Sequence, residues 1–236
     1  MLALALLLQA GSAQAGGYAI VYAFPEPSNG AYSNSGVMVD GQGNLYETTS
    51  GGGKANIRAC RCGTVFTLTP KGVETILHVF NNKARGDGPG GLIEDGSGNL
   101  YGTTAYGGKS HNDGTVYKLS PNGKYTVLRS FRGGNDGAAP FSTLIADSAG
   151  NLYGTTSYGG GTGCNGYGCG TVFKLASSGT ETALHAFSGG SDGDAPDGAL
   201  VADGAGNLYG TTYSGGGGIG CYENGGGCGT VFEITP

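Results

Sequence analysis

The phrase "GNLYGTT" stands at Gly98–Thr104, Gly150–Thr156 and Gly206–Thr212, and again as "GNLYETT" at Gly43–Thr49. It is either a catalytic signature or one structural unit spelled out four times, and its spacing favours the second reading. Its asparagine recurs at Asn44, Asn99, Asn151 and Asn207, steps of 55, 52 and 56 by subtraction. Each copy keeps the same company. Before it runs an apolar stretch ending in Asp: "VMVD" to Asp40, "GLIED" to Asp95, "TLIAD" to Asp147 and "ALVAD" to Asp203. After it comes Gly-Thr-Val-(Phe/Tyr), from Gly63, Gly114, Gly170 and Gly229. Three copies then continue into "ETILHVF" (74–80), "YTVLRSF" (125–131) and "ETALHAF" (181–187).

Each repeat thus holds four apolar runs of ordinary strand length. The first and second are joined by D-x-x-G-N, and the third and fourth by turns such as "SPNGK" (120–124), both hairpin chemistry. The other two links are longer, Gly-rich and variable. Four antiparallel strands every ~50 residues predict an all-β chain of β-propeller blades. The repeats span about 36–80, 91–131, 143–187 and 199–236. The opening "YAIVYAF" (18–24) aligns with the fourth run, which the last repeat lacks, so four blades closed by the N-terminal strand are expected. A fragment of a larger propeller is the main alternative. A parallel β-solenoid would not need two hairpins per repeat.

Glycine makes up 52 of 236 residues and charged residues 12%. Fourteen Tyr, eight Phe and abundant Val, Leu and Thr set this chain apart from disordered Gly-rich sequences. A net charge of −5 leaves no basic footprint for nucleic acid. Residues 1–15, "MLALALLLQAGSAQA", end in a small-residue cleavage pattern and read as a secretory signal peptide. One domain, 16–236, follows. It has no run long enough to span a membrane, and a secreted or cell-surface monomer is expected.

The long pattern F-x-x-x-x-D-G-x-x-P-x-x-x-L-I-x-D-x-x-G-N-L-Y-G-T-T, then G-T-V-F-K-L, resembles the GloVer tandem-repeat family of bacterial secreted proteins. It stands best at 131–156 with 170–175, and at 187–212 with 229–234. The resemblance implies extracellular, propeller-like repeats and carries no assigned activity. Glu47 departs from the pattern by replacing the glycine of the phrase.

Six cysteines form three close couples, Cys60/Cys62, Cys164/Cys169 and Cys221/Cys228, each in the loop between the second and third runs. The second repeat lacks both members and has Asp113 where the partner would stand. Joint loss within one chain argues for local disulfides, although a Cys60–Cys62 ring would be strained. Couples on separate blades, with no histidine nearby, do not make a four-ligand zinc site.

Several tempting motifs fail on context. Gly189–Gly193 matches G-x-S-x-G, but the hydrolase elbow needs a strand-to-helix turn. Asp40, Asp95, Asp147 and Asp203 recur, but each precedes a hairpin where Asp caps its own turn. His78 and His185 share a position with Arg129 and Tyr22, which reads as solvent-facing. Asp192, Asp194 and Asp197 offer enough carboxylates for a calcium loop, a pattern absent from the sibling repeats; no other cofactor is expected.

Alternating strands put the tight turns on one face and the variable loops on the other, where binding residues concentrate. Candidates there are Tyr106, Tyr158, Tyr213, Asp113, Arg132, Asp136 and Asp192. Aromatics beside carboxylates and Gly-rich backbone suit a carbohydrate or a protein partner. Three functions stay open: a non-catalytic extracellular binding module, a polysaccharide hydrolase or lyase using loop-face carboxylates ~5–10 Å apart, and a structural spacer.

Overall fold

A computed structural model describes residues 17–25, 29–33, 35–53, 63–80, 86–109, 111–217 and 227–235. The fold is all-β and propeller-like, with four antiparallel sheets. The first holds β1 (Ala31–Ser33), β2 (Met38–Val39), β3 (Leu45–Gly51), β4 (Thr64–Leu68) and β5 (Glu74–Val79). The second runs β6 (Asp87–Glu94), β7 (Leu100–Tyr106), β8 (Thr115–Leu119) and β9 (Tyr125–Ser130). The third runs β10 (Ile145–Ala146), β11 (Leu152–Thr156), β12 (Thr171–Leu175) and β13 (Glu181–Ala186). The fourth has three strands, β14 (Val201–Ala202), β15 (Leu208–Thr211) and β16 (Val231–Ile234).

The repeated phrase forms β3, β7, β11 and β15, and its pairing with the next strand follows one rule in all four sheets. In the second sheet Leu100 faces Leu119, Tyr101 faces Lys118, Gly102 faces Tyr117 and Thr103 faces Val116. The same register recurs in the others. The glycine is needed because the ring of the opposing strand lies across it. A Cβ on Gly154 would sit 2.8 Å from Phe173 and 2.9 Å from Leu144, closer than packed carbons approach. In the first sheet Glu47 takes this place, half-buried and accepting a hydrogen bond from Ser33 Oγ, and burial pushes its carboxyl up.

The two threonines of the phrase divide the work. The first reaches toward the neighbouring sheet: Thr48 Oγ1 donates to the Gly90 carbonyl (2.9 Å) and Thr103 to the Ser142 carbonyl (3.1 Å), while Thr155 lies 3.4 Å from the Gly198 carbonyl but donates to the nearer Ser142 Oγ (2.9 Å). The second stays at home. Thr104 and Thr115 share a hydrogen bond of 2.8 Å, and Thr104 Oγ1 also donates to the Tyr106 carbonyl (2.9 Å), so Thr115 must be the donor of the shared bond. Thr49–Thr64, Thr156–Thr171 and Thr212–Thr230 repeat this arrangement.

Between sheets lie three apolar clusters, one per seam. Each is centred on the closing Phe of one sheet set edge-on to the ring of the next: Phe80 on Tyr117 (5.4 Å between centroids), Phe131 on Phe173 (5.1 Å) and Phe187 on Phe232 (5.1 Å). Residues 18–24 form no strand, but Phe24 meets Phe66 of the first sheet in the same way, at 5.3 Å. The segment therefore rests on the first sheet as the outer run of a preceding blade would. Among the described residues, nothing pairs with the free edge of β16.

The residues expected to face solvent along the outer strands instead make a ladder across the seams. Tyr22 Oη donates to Glu74 (2.7 Å), His78 stacks on Tyr125 (4.2 Å, 6°), and Arg129 binds Glu181 (3.1 Å). A position that accepts Tyr, His and Arg is here a paired position whose partner changes with it. Cys60, Cys62 and Cys221 and the signal segment 1–15 lie outside the described residues.

Candidate functional site

Loops are held to the scaffold by the second threonine of each phrase, which fixes the carbonyl two residues on, at Gly51, Tyr106, Tyr158 and Ser214. The incoming loop from the previous sheet then locks against this start. Ala138 and Tyr158 exchange backbone hydrogen bonds, as do Asp194 and Ser214. Beside these bridges Ala139 and Ala195 adopt left-handed backbone, φ 54° and 53°. Side chains resist that conformation by ~1–2 kcal/mol, and bonds on both sides hold it. Ala139 N–H donates to the Asp113 carbonyl and its own carbonyl accepts from Ser157; Ala195 does the same with Cys169 and Tyr213. The loop face is thus a pinned surface that carries exposed rings.

Tyr158 and Tyr213 stand exposed on this face, whereas Tyr106 is half-buried against Phe141, 6.1 Å between centroids. Two exposed rings escaped the sequence reading. Tyr167 lies 6.5 Å from Tyr158, and Phe141 borders Tyr106. Their signal was present as unrepeated aromatics in variable loops.

Two acids of the face, Asp136 and Asp192, are committed to the scaffold. Single 3-10 turns, Gly134–Asp136 and Gly190–Asp192, present equivalent carboxylates. Asp136 pairs with Arg129, whose guanidinium also binds Glu181 across the seam. Asp192 accepts from the Ser188 amide (2.8 Å) and hydroxyl (3.0 Å) and contacts His185 Nε2 at 3.1 Å. Burial works against its ionisation, but the Ser188 bonds and His185 outweigh burial and hold the carboxyl below the usual range. Asp113 is half-buried, and burial pushes its carboxyl up. Arg132 is exposed.

A disulfide joins Cys164 to Cys169, closing the small loop around Tyr167 and contributing about 2 kcal/mol on the chain-entropy model. Cys228 is also disulfide-bonded. Asp113 occupies the Cys169 position in the second sheet, so loop 107–114 has a carboxylate where its sibling has a covalent tie. The three calcium candidates do not converge. Asp192 turns to His185 and Ser188, Asp194 accepts from Ser214 Oγ (3.1 Å), and Asp197 accepts from Ser157 Oγ. Among the described residues the one cluster of donor atoms within 4.8 Å is Cys164, Cys169 and Asp194, and the disulfide consumes two of its three members.

On the opposite face the recurrent aspartates cap their own turns. Asp95 Oδ1 accepts from the Ser97 and Asn99 amides, while Oδ2 accepts from Asn99 Nδ2 (2.8 Å) and Tyr101 Oη (3.0 Å). Burial opposes its charge, but these donors prevail and hold its carboxyl at about 2. Asp40, Asp147 and Asp203 carry the same network and are lowered likewise. A cleft of about 500 Å³ opens on this side between the third and fourth sheets, lined by Ile145, Asp147, Tyr153, Asp203 and Leu208. Both its carboxylates are spent on these turns. No helix among the described residues is long and apolar enough to cross a membrane.

The model of the Gloeobacter/Verrucomicrobia repeat matches residues 11–222, and the chain belongs to that family. No curated protein matches its sequence. Solved structures resemble the chain at low identity. A gluconolactonase from Xanthomonas campestris is 15% identical over 85% of this chain and 56% of its own, with a TM-score of 0.47. A luciferin-regenerating enzyme is 16% identical over 85% and 60%, with a TM-score of 0.48. The extracellular domain of a B. thetaiotaomicron one-component system is 14% identical over 76% and 20%, with a TM-score of 0.49. The chain spans less than two thirds of the length of each of these structures.

Proposed function

We propose that the chain is a secreted, non-catalytic interaction module, a propeller of four blades whose loop face takes an extracellular carbohydrate or protein. One observation carries this reading. Exposed tyrosines 158, 167 and 213 stand on loops that are rigidly pinned, while the acids beside them, Asp136 and Asp192, are tied to Arg129 and to His185 and Ser188. Rigid aromatic rings bind at little cost in conformational entropy, whereas a general acid or nucleophile needs a carboxylate that the scaffold has not already claimed. The leader-like residues 1–15 and the Cys164–Cys169 disulfide both suit an oxidising compartment.

Glycan and peptide arrays probed with the purified chain test it. Binding to one class is expected, weakened at least about 10-fold by Tyr158→Ala or Tyr213→Ala with the melting temperature unchanged. Release of reducing ends or unsaturated sugars from a polysaccharide panel would replace this reading with the enzymatic one. Binding that survives both substitutions would move the site off this face.

A further inference from the structure

Three seams inside the chain are built alike, and its two outermost sheet faces carry the halves of a fourth. The valine of Gly-Thr-Val fills each seam: Val65, Val116 and Val172 are all 0% exposed, whereas Val231 is 81% exposed. Ile93 and Ile145 pack into seam clusters, but their counterpart Val201 is 63% exposed. Thr48, Thr103 and Thr155 are buried where they cross to the next sheet, and Thr211 is exposed. The first sheet shows the opposite half. Leu92, Leu144 and Leu200 are buried, and Val37 in that place is 54% exposed.

The ladder supplies an independent fit. Each outer strand meets the first residue of the next, as Tyr22 with Glu74, His78 with Tyr125 and Arg129 with Glu181. His185 is next in line. By the same alignment its partner is the first residue of the run 18–24, which is Tyr18, 89% exposed. His185 and Tyr18 would repeat the His78–Tyr125 stack.

We propose that the exposed face of the fourth sheet is an interaction surface for a second copy of this chain, joined head to tail. Residues 18–24 of the second copy, already seated on its own first sheet, add to the free edge of β16 as the missing fourth strand. Val37 of the second copy covers Val201 and Val231, and Thr211 donates to the carbonyl of Ser35 of the second copy, which stands where Gly90 and Ser142 accept in the first two internal seams. The occupant is another copy because within the single chain Tyr18 and Val231 both stand in solvent and no described residue pairs with the outer edge of β16. The buried threonine bonds and ring contacts of the three internal seams set the rotation between sheets, and at that rotation Tyr18 and Val231 are both left in solvent. A fourth seam between copies preserves that rotation, whereas closing the ring within one chain would have to change it at all three. Glu47 on the first sheet and Glu233, bonded to Tyr209 on the last, lie on the mating faces. Their like charge makes the contact weaker than an internal seam, and added salt should strengthen it. A head-to-tail contact of this kind makes rings or filaments, not two-fold dimers.

Sedimentation of the purified chain across a concentration series tests the proposal without any variant, and a mass that climbs in whole-chain steps is expected. Val231→Asp blocks one end and Val37→Asp the other. Both side chains are exposed in the single chain, so folding should survive, while association falls at least about 100-fold as a charge enters an apolar seam. Each variant alone should be monomeric, and a mixture of the two should give one 1:1 dimer. A wild-type chain that stays at single-chain mass overturns the proposal. If 18–24 and 231–234 are then protected from hydrogen exchange, the chain closes on itself; if unprotected, the surface has no occupant of this kind.

Discussion

The second and third sheets are the same object below and different objects above. Their inner strands pair residue for residue, with Gly102 under Tyr117 in one and Gly154 under Phe173 in the other. Above, the second sheet has Asp113 where the third has the Cys164–Cys169 disulfide. The outer strand of the second carries Arg129 bound to Asp136 and Glu181, where the third carries His185 bound to Asp192. Shape is therefore set by the shared strands, while the loops are free to differ as long as each keeps some tether.

That comparison breaks first if the shared strands prove unequal. Gly102→Val and Gly154→Val should each cost about 3 kcal/mol, since both push a side chain into a ring and leave little room to relax. Denaturant midpoints differing widely between the two would mean that the blades are not equivalent. Glu47→Gly, which restores the phrase in the first sheet, should be neutral or stabilising.

A smaller effect separates the tethers. Arg129→Ala strands two carboxylates, Asp136 and Glu181, whose side chains are 17% and 7% exposed, and should cost about 2 kcal/mol. His185→Ala leaves only the more exposed Asp192, which keeps its Ser188 bonds, and should cost less than about 1 kcal/mol. Equal losses in thermal melts would show that the Arg129 network is no more than a surface contact.

Acid titration gives the smallest effect and one common to all four sheets. Asp40, Asp95, Asp147 and Asp203 hold their charge more readily folded than unfolded. Their stabilisation is complete above the unfolded aspartate value of about 3.9 and fades as pH falls toward the folded value, about 2 for Asp95. Glu47, Asp113 and Glu181 shift the other way, so protonating them relieves a cost over the acid range. Melting temperature should thus fall gently from pH 4 to 2, and Asp95→Asn should flatten that slope by a few degrees.

Much of this architecture was legible because its signals are local. D-x-x-G-N places a turn whatever surrounds it, so the aspartate caps and the hairpins followed from the phrase alone. The Cys164–Cys169 bond was legible from the joint absence of both cysteines in the second repeat. The ladder was not. Tyr22, His78 and Arg129 looked interchangeable, and interchangeable positions look exposed, because the residue that compensates each change lies some 50 positions away. Tyr167 and Phe141 were missed for the opposite reason, since a search for recurrence passes over residues that occur once. The burial of Thr48 and Thr103 was not legible either, because the carbonyl that each binds belongs to the next repeat.

The ladder also amounts to a rule of succession. His78 accepts Tyr125 beside it, and Arg129 accepts Glu181, so a blade is suited to one neighbour and not to just any copy of the repeat. Were the second and third units transposed, Arg129 would lose Glu181, and His78 would face Glu181 in place of an aromatic ring. Units that look alike enough to be shuffled are in this way written in a fixed sequence, with the address of each carried on its last strand.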